Sequence, residues 1–86
     1  MVYDYYKRAL LYTKLKEWEK AEKDLDRIIK TEDYKRDASA YTYRALVKME
    51  QKRNKDACKD IEIAYNLTND KELEKVLQDM WNDCGC

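Results

Sequence analysis

The chain has 86 residues, 42% of them charged, with one glycine and no proline. That suits a single soluble helical domain and disfavours sandwiches and barrels, which need many turns. Eighteen Lys and Arg balance eighteen Asp and Glu, so there is no basic surplus to replace phosphate counterions, and nucleic acid is not an expected partner. No apolar run approaches the roughly 20 residues of a membrane span.

The first predicted helix runs from Val2 to Lys14, its apolar arc built from Tyr5, Ala9 and Tyr12 and widened by Tyr3, Tyr6 and Leu10. A short break at Lys16-Glu17 leads to a second helix, Trp18 to Lys30, where Trp18, Ala21, Leu25, Ile28 and Ile29 recur at i+3 and i+4 steps. The alternating charges from Lys14 to Asp24 read as a solvated face with i,i+4 pairs. The longer connection from Thr31 to Asp37 contains Tyr34, placed either across the junction or in solvent. Asp37 then caps a third helix, Ala38 to Gln51. After Lys52-Arg53-Asn54, with Asn54 as the expected cap, a fourth helix covers Lys55 to Leu67. Asn69 followed by Glu72 has capping-box spacing for a fifth helix, Lys71 to Asp83, and Gly85 suits its C-terminal cap.

The chain repeats itself. At an offset of 36 residues Tyr5 meets Tyr41, Arg8 meets Arg44, Ala9 meets Ala45, Leu10 meets Leu46 and Ala21 meets Ala57, while Lys23-Asp24 meets Lys59-Asp60. A period of this length marks stacked supersecondary units, here helical hairpins. Tyr5, Ala9, Tyr12, Trp18, Ala21 and Leu25, and then Tyr41, Ala45, Ala57, Ile61 and Ala64, resemble the large and small positions of the tetratricopeptide repeat (TPR). Ile28 replaces a small residue. Lys16 and Lys52 stand where that family often has glycine, Asp33 and Asn69 where it often has proline, and Lys48 and Asn54 where aromatics are usual. The resemblance implies an all-α, TPR-like α–α superhelix with repeats at 2–33 and 38–69, a capping helix at 70–83 and a Cys-Gly-Cys tail at 84–86.

The resemblance also implies a function: binding an extended peptide or amphipathic helix in a concave groove lined by the first helix of each repeat. The corresponding positions are Tyr6, Leu10, Thr13, Lys14, Thr42, Tyr43, Leu46 and Met49, an apolar, tyrosine-rich set without a carboxylate clamp. Tyr6, Leu10, Tyr43, Leu46 and Met49 are the expected hot spots. Each has core packing as its competing explanation. The alternative is structural: self-association through Tyr3, Tyr6 and Leu10 as a homodimer, or service as the C-terminal end of a longer array.

Catalysis has little to stand on. The chain has no histidine, no glycine-rich phosphate loop and no nucleophile elbow, so neither an enzyme nor a cofactor is expected. Three cysteines cannot pair off completely, and Met1 to Tyr5 lacks the features of a secretory signal, so a reducing, cytoplasmic location is expected. Cys58 reads as a small buried apolar group. Cys84-Gly85-Cys86 reads as a frayed tail with exposed thiols. The less favoured readings are a metal site shared by two chains and a double prenylation signal. No metal site within one chain is expected.

Overall fold

The computed structural model describes residues 2–31 and 37–86, with side chains from Asp4 onward. Five helices follow in order: α1 (Val2–Lys14), α2 (Trp18–Lys30), α3 (Ala38–Glu50), α4 (Asn54–Leu67) and α5 (Lys71–Cys84). No strand occurs among the described residues. Against the sequence reading, only one end each of α3, α4 and α5 shifts, by a single residue.

Local chemistry explains where the helices begin. The Asp37 carboxylate accepts from the Ser39 backbone N–H at the start of α3, as its side-chain type demands. The other two expected caps move by one residue. Asp70, not Asn69, caps α5 by accepting from the Glu72 N–H, and Arg53 occupies the cap position of α4 without a side-chain bond. A carboxylate accepts more strongly than an amide beside the positive end of the helix dipole, which favours the one-residue slide to Asp70.

Three helices end in the same way. Lys16, Lys52 and Gly85 adopt left-handed φ of 60°, 61° and 74°. In each case their N–H reaches back three residues and the next N–H reaches back five: Lys16 to Thr13 and Glu17 to Tyr12, Lys52 to Met49 and Arg53 to Lys48, Gly85 to Asn82 and Cys86 to Trp81. This is the Schellman arrangement, which satisfies carbonyls the helix leaves open. Two of the three positions are lysine, so those turns form against the steric preference of an L side chain.

Packing runs between consecutive helices: α1 on α2, α2 on α3, α3 on α4 and α4 on α5. Ala9, Ala21, Ala45, Ala57 and Ala64 are all buried, so the small residues sit where helices approach closely. Two apolar cores result, and α3 serves both. Its Ala40 and Val47 join Ala9, Ala21, Leu25 and Ile28 in the first core. Its Ala45 joins Ala57, Ile61, Ala64, Leu77 and Met80 in the second. Leu77, from α5, is fully buried there. Truncating it to alanine removes a side chain that no neighbour can replace, at a cost of about 3 kcal/mol.

The internal repeat is reproduced in ionic detail. Arg8 reaches the buried Asp24 through Nε and Nη2 at 2.8 and 2.7 Å, and Arg44 reaches the buried Asp60 the same way at 2.9 and 2.7 Å. Each guanidinium also lies 5.4 Å from a tyrosine ring centre, Tyr5 and Tyr41 respectively. The reading of Lys14 to Asp24 as a wholly solvated face is therefore corrected at Asp24, which is buried. The bidentate arginine satisfies both of its oxygens, and that makes burial tolerable.

Candidate functional site

The first-helix positions form one surface across α1 and α3. Tyr6 and Tyr43 meet edge to face, their ring centres 6.5 Å apart and planes 74° to one another. The Tyr6 hydroxyl donates to Asp37 at 2.5 Å, tying α1 to the residue that caps α3. Beside this pair Leu10 is 40% and Leu46 37% exposed. The other candidates are less available. Thr42 is buried and its hydroxyl donates to the Ala38 carbonyl, Thr13 donates to the Ala9 carbonyl, and Met49 packs partly buried on the second core. Lys14 is exposed. The structure thus gathers Tyr6, Leu10, Tyr43 and Leu46, and turns Thr42 and Met49 inward. The side chain of Tyr3 and the whole of Tyr34 lie outside the described residues.

An apolar hollow that the sequence did not suggest lies between α4 and α5. Ile61, Glu62, Tyr65, Leu77, Gln78 and Trp81 line a hollow of about 350 Å³. Gln78 donates to the Tyr65 hydroxyl at 3.3 Å across it. The i, i+4 spacing of Ile61 and Tyr65 and of Leu77 and Trp81 was visible in the sequence. That these pairs face one another follows only once α4 and α5 are known to form an antiparallel hairpin. Leu11 on α1 and Leu15, in the turn just after it, are also highly exposed, at 53% and 61%. They lie on the opposite flank from Tyr6 and Leu10 at 100° per residue.

The electrostatics concentrate at the two buried aspartates. Arg8 is raised above its ordinary value, chiefly by its hydrogen bond to Asp24, against a smaller opposing effect of burial. For Arg44 burial is the largest influence and acts downward. The hydrogen bonds to Asp60 and Asp26 outweigh it, and the guanidinium ends above its ordinary value. Arg44 therefore links its own hairpin, through Asp60, to the preceding one, through Asp26 at 2.8 Å. Lys48 adds a second cation to Asp60 at 2.9 Å. Glu22 on α2 accepts from Arg53 at 2.6 Å and from Gln51 at 3.1 Å, closing the hairpin junction on its other side. These groups neutralise one another and hold the stack together.

The cysteine expectations are corrected. The tail does not fray: Cys84 is a buried part of α5, and Cys86 is bonded to Cys58 in a disulfide with Cα atoms 5.9 Å apart. Cys58 is half-buried rather than fully buried. The cause is the hairpin register. In an antiparallel pair, residues roughly equidistant from the turn face each other, so the end of α5 returns to the beginning of α4. Cys86 follows the left-handed Gly85 and, though exposed, reaches Cys58. The Sγ atoms of all three cysteines lie within 4.8 Å of one another. Burial pushes the Cys84 thiol above its ordinary pKa, and the charge of Asp83 adds to that.

Fold and surfaces together define an all-α protein of consecutively packed helices whose exposed apolar side chains lie on α1, α3, α4 and α5. No family model, curated protein or solved structure matches this chain. No helix among the described residues is long and apolar enough to cross a membrane.

Proposed function

We propose that this chain is a non-enzymatic TPR-like interaction module that binds an amphipathic helix or peptide on the apolar face shared by α1 and α3. The observation that carries this reading is the joint exposure of Leu10 and Leu46 beside the Tyr6–Tyr43 pair. Two leucines left partly in water next to oriented tyrosines offer the apolar anchors and rigid aromatic area that hot spots favour. The Arg44–Asp26 bond supports the same reading, because it ties together the two hairpins that present the surface. The TPR resemblance adds the expectation of a concave, helix-lined groove.

The test is selection of amphipathic helical peptides against the full chain by display. Peptides with apolar residues at i, i+4 and i+7 should be enriched, and Leu46→Glu should reduce their affinity by tenfold or more, about the effect of losing one apolar anchor. Because Leu46 is partly exposed, far-UV circular dichroism should remain that of the wild type. Equal binding by the variant would sink the proposal for this face. Loss of binding on Trp81→Ala instead would move the site to the α4–α5 hollow.

Self-association is the second reading. It is favoured by Leu11 and Leu15, the two most exposed of the large apolar side chains among the described residues.

A further inference from the structure

The three cysteines come from two places in the sequence yet meet at one end of the α4–α5 hairpin. Cys58 stands in the second turn of α4, Cys84 closes α5, and Cys86 lies just beyond the left-handed Gly85. Their sulfurs lie within 4.8 Å of one another. Three thiolates about a zinc-class ion at roughly 2.3 Å each stand about 3.8 Å apart, so the three sulfurs are near enough to share such an ion once the Cys58–Cys86 bond is opened.

We propose that, when reduced, Cys58, Cys84 and Cys86 form a three-thiolate site for a divalent thiophilic cation of the zinc class. The disulfide is the metal-free, oxidised alternative of the same site. Thiolates select soft ions such as zinc over hard ions such as magnesium and calcium, which prefer oxygen. Cys84 is buried, Cys58 half-buried and Cys86 exposed, so the ion is held against the hairpin with one side open. No fourth His, Cys, Asp or Glu ligand groups with the three among the described residues. The fourth position of a tetrahedral ion therefore belongs to water or an external ligand, as in zinc sites that keep an open coordination position.

Entry into this state is a thiol–disulfide exchange. A dithiol reductant gives two electrons and two protons to the Cys58–Cys86 bond and becomes a disulfide itself, leaving two thiols in the protein. Metal binding then forms three metal–sulfur bonds and releases one proton from each of the three thiols. Opening the disulfide requires the Cys86 sulfur to swing by about 2 Å from bonding distance to the separation the ion imposes. Its exposed position beyond the helix end permits this.

The experiment titrates the phosphine-reduced full chain, freed of reductant under anaerobic conditions, with Cd²⁺. It reads thiolate-to-metal charge-transfer absorption and native mass spectra. The expected result is saturation at one cadmium per chain, competition by Zn²⁺ only in large excess, and little uptake by the oxidised protein. Cys84→Ser and Cys86→Ser should each weaken binding by about a hundredfold, since each removes one of three metal–sulfur bonds. Cys86 is exposed, so its variant should keep full helicity and separate loss of a ligand from loss of fold. No uptake by the reduced chain, one ion per two chains, or wild-type affinity in Cys86→Ser would overturn the proposal.

Discussion

At the scale of single residues, the two Arg–Asp pairs share a geometry but not an environment. Arg8 and Arg27, the cations on Asp24, are 46% and 54% exposed, whereas Arg44 and Lys48, on Asp60, are 19% and 12% exposed. Removing Asp24 leaves cations that can turn back to water. Removing Asp60 strands Lys48 and leaves Arg44 with Asp26 alone, and uncompensated buried charge is where breaking an ion pair becomes costly. Asp60→Ala should therefore lower the free energy of unfolding by about 3 kcal/mol, and Asp24→Ala by clearly less, in urea denaturation followed by circular dichroism. Equal losses would remove the argument from burial. The repetition of Arg8 and Asp24 as Arg44 and Asp60 was legible in the sequence. Their burial was not, because an aspartate inside an alternating charge run looks solvated until its arginine partner on the neighbouring helix is placed.

Lys16 and Lys52 carry a second residue-scale expectation. Each holds φ near +60°, where an L side chain crowds its own carbonyl and glycine does not. Glycine at either position relieves that strain but loosens the unfolded chain, leaving a net gain of about 0.5–1 kcal/mol. Lys16→Gly and Lys52→Gly should each raise the denaturation midpoint, and by similar amounts, because the two turns repeat one another. A lowered midpoint would mean that the lysine side chains contribute more than their backbones cost.

At the scale of elements, α5 depends on two kinds of attachment. Its apolar contact with α4 runs through Leu77 and Met80, and the disulfide closes a span of 28 residues from Cys58 to Cys86. Closing a loop of that length is worth about 3.5 kcal/mol on the chain-entropy account. Reduction should therefore lower the melting temperature and raise amide exchange first in α5, with α1 to α3 keeping their protection. Uniform loss of protection would show that the five helices unfold as one unit. The apolar contact was legible, since Leu73, Val76, Leu77, Met80 and Trp81 follow helical spacing, although Val76 and Trp81 remain partly exposed. The covalent attachment was not. Composition favoured free thiols, and only the return path of the antiparallel hairpin brings Cys58 to the tail. For the same reason the hollow beside Trp81 went unforeseen, whereas the face around Tyr6 and Leu46 came from the TPR resemblance and not from the residues' own spacing.

At the scale of the whole molecule, the two ends of the stack differ. α5 covers α4 at one end, burying Leu77, Met80 and Cys84. At the other end Leu11 of α1 and Leu15, in the turn just after it, stay in solvent and are the most exposed large apolar side chains among the described residues. Stacked repeats require polar outer faces to remain soluble, and a pair of leucines one turn apart is suited to meeting the same pair on a second copy across a two-fold axis. Wild-type chain should accordingly show a weight-average mass that rises with concentration in sedimentation equilibrium. The Leu11→Glu, Leu15→Glu double variant should remain monomeric with unchanged helicity. Because that flank faces away from Tyr6 and Leu10, the double variant should bind the selected peptides as the wild type does. Association that persists in it, but disappears in Leu10→Glu, would shift self-assembly to the α1–α3 face, and the peptide site would then be a contact between copies of the chain.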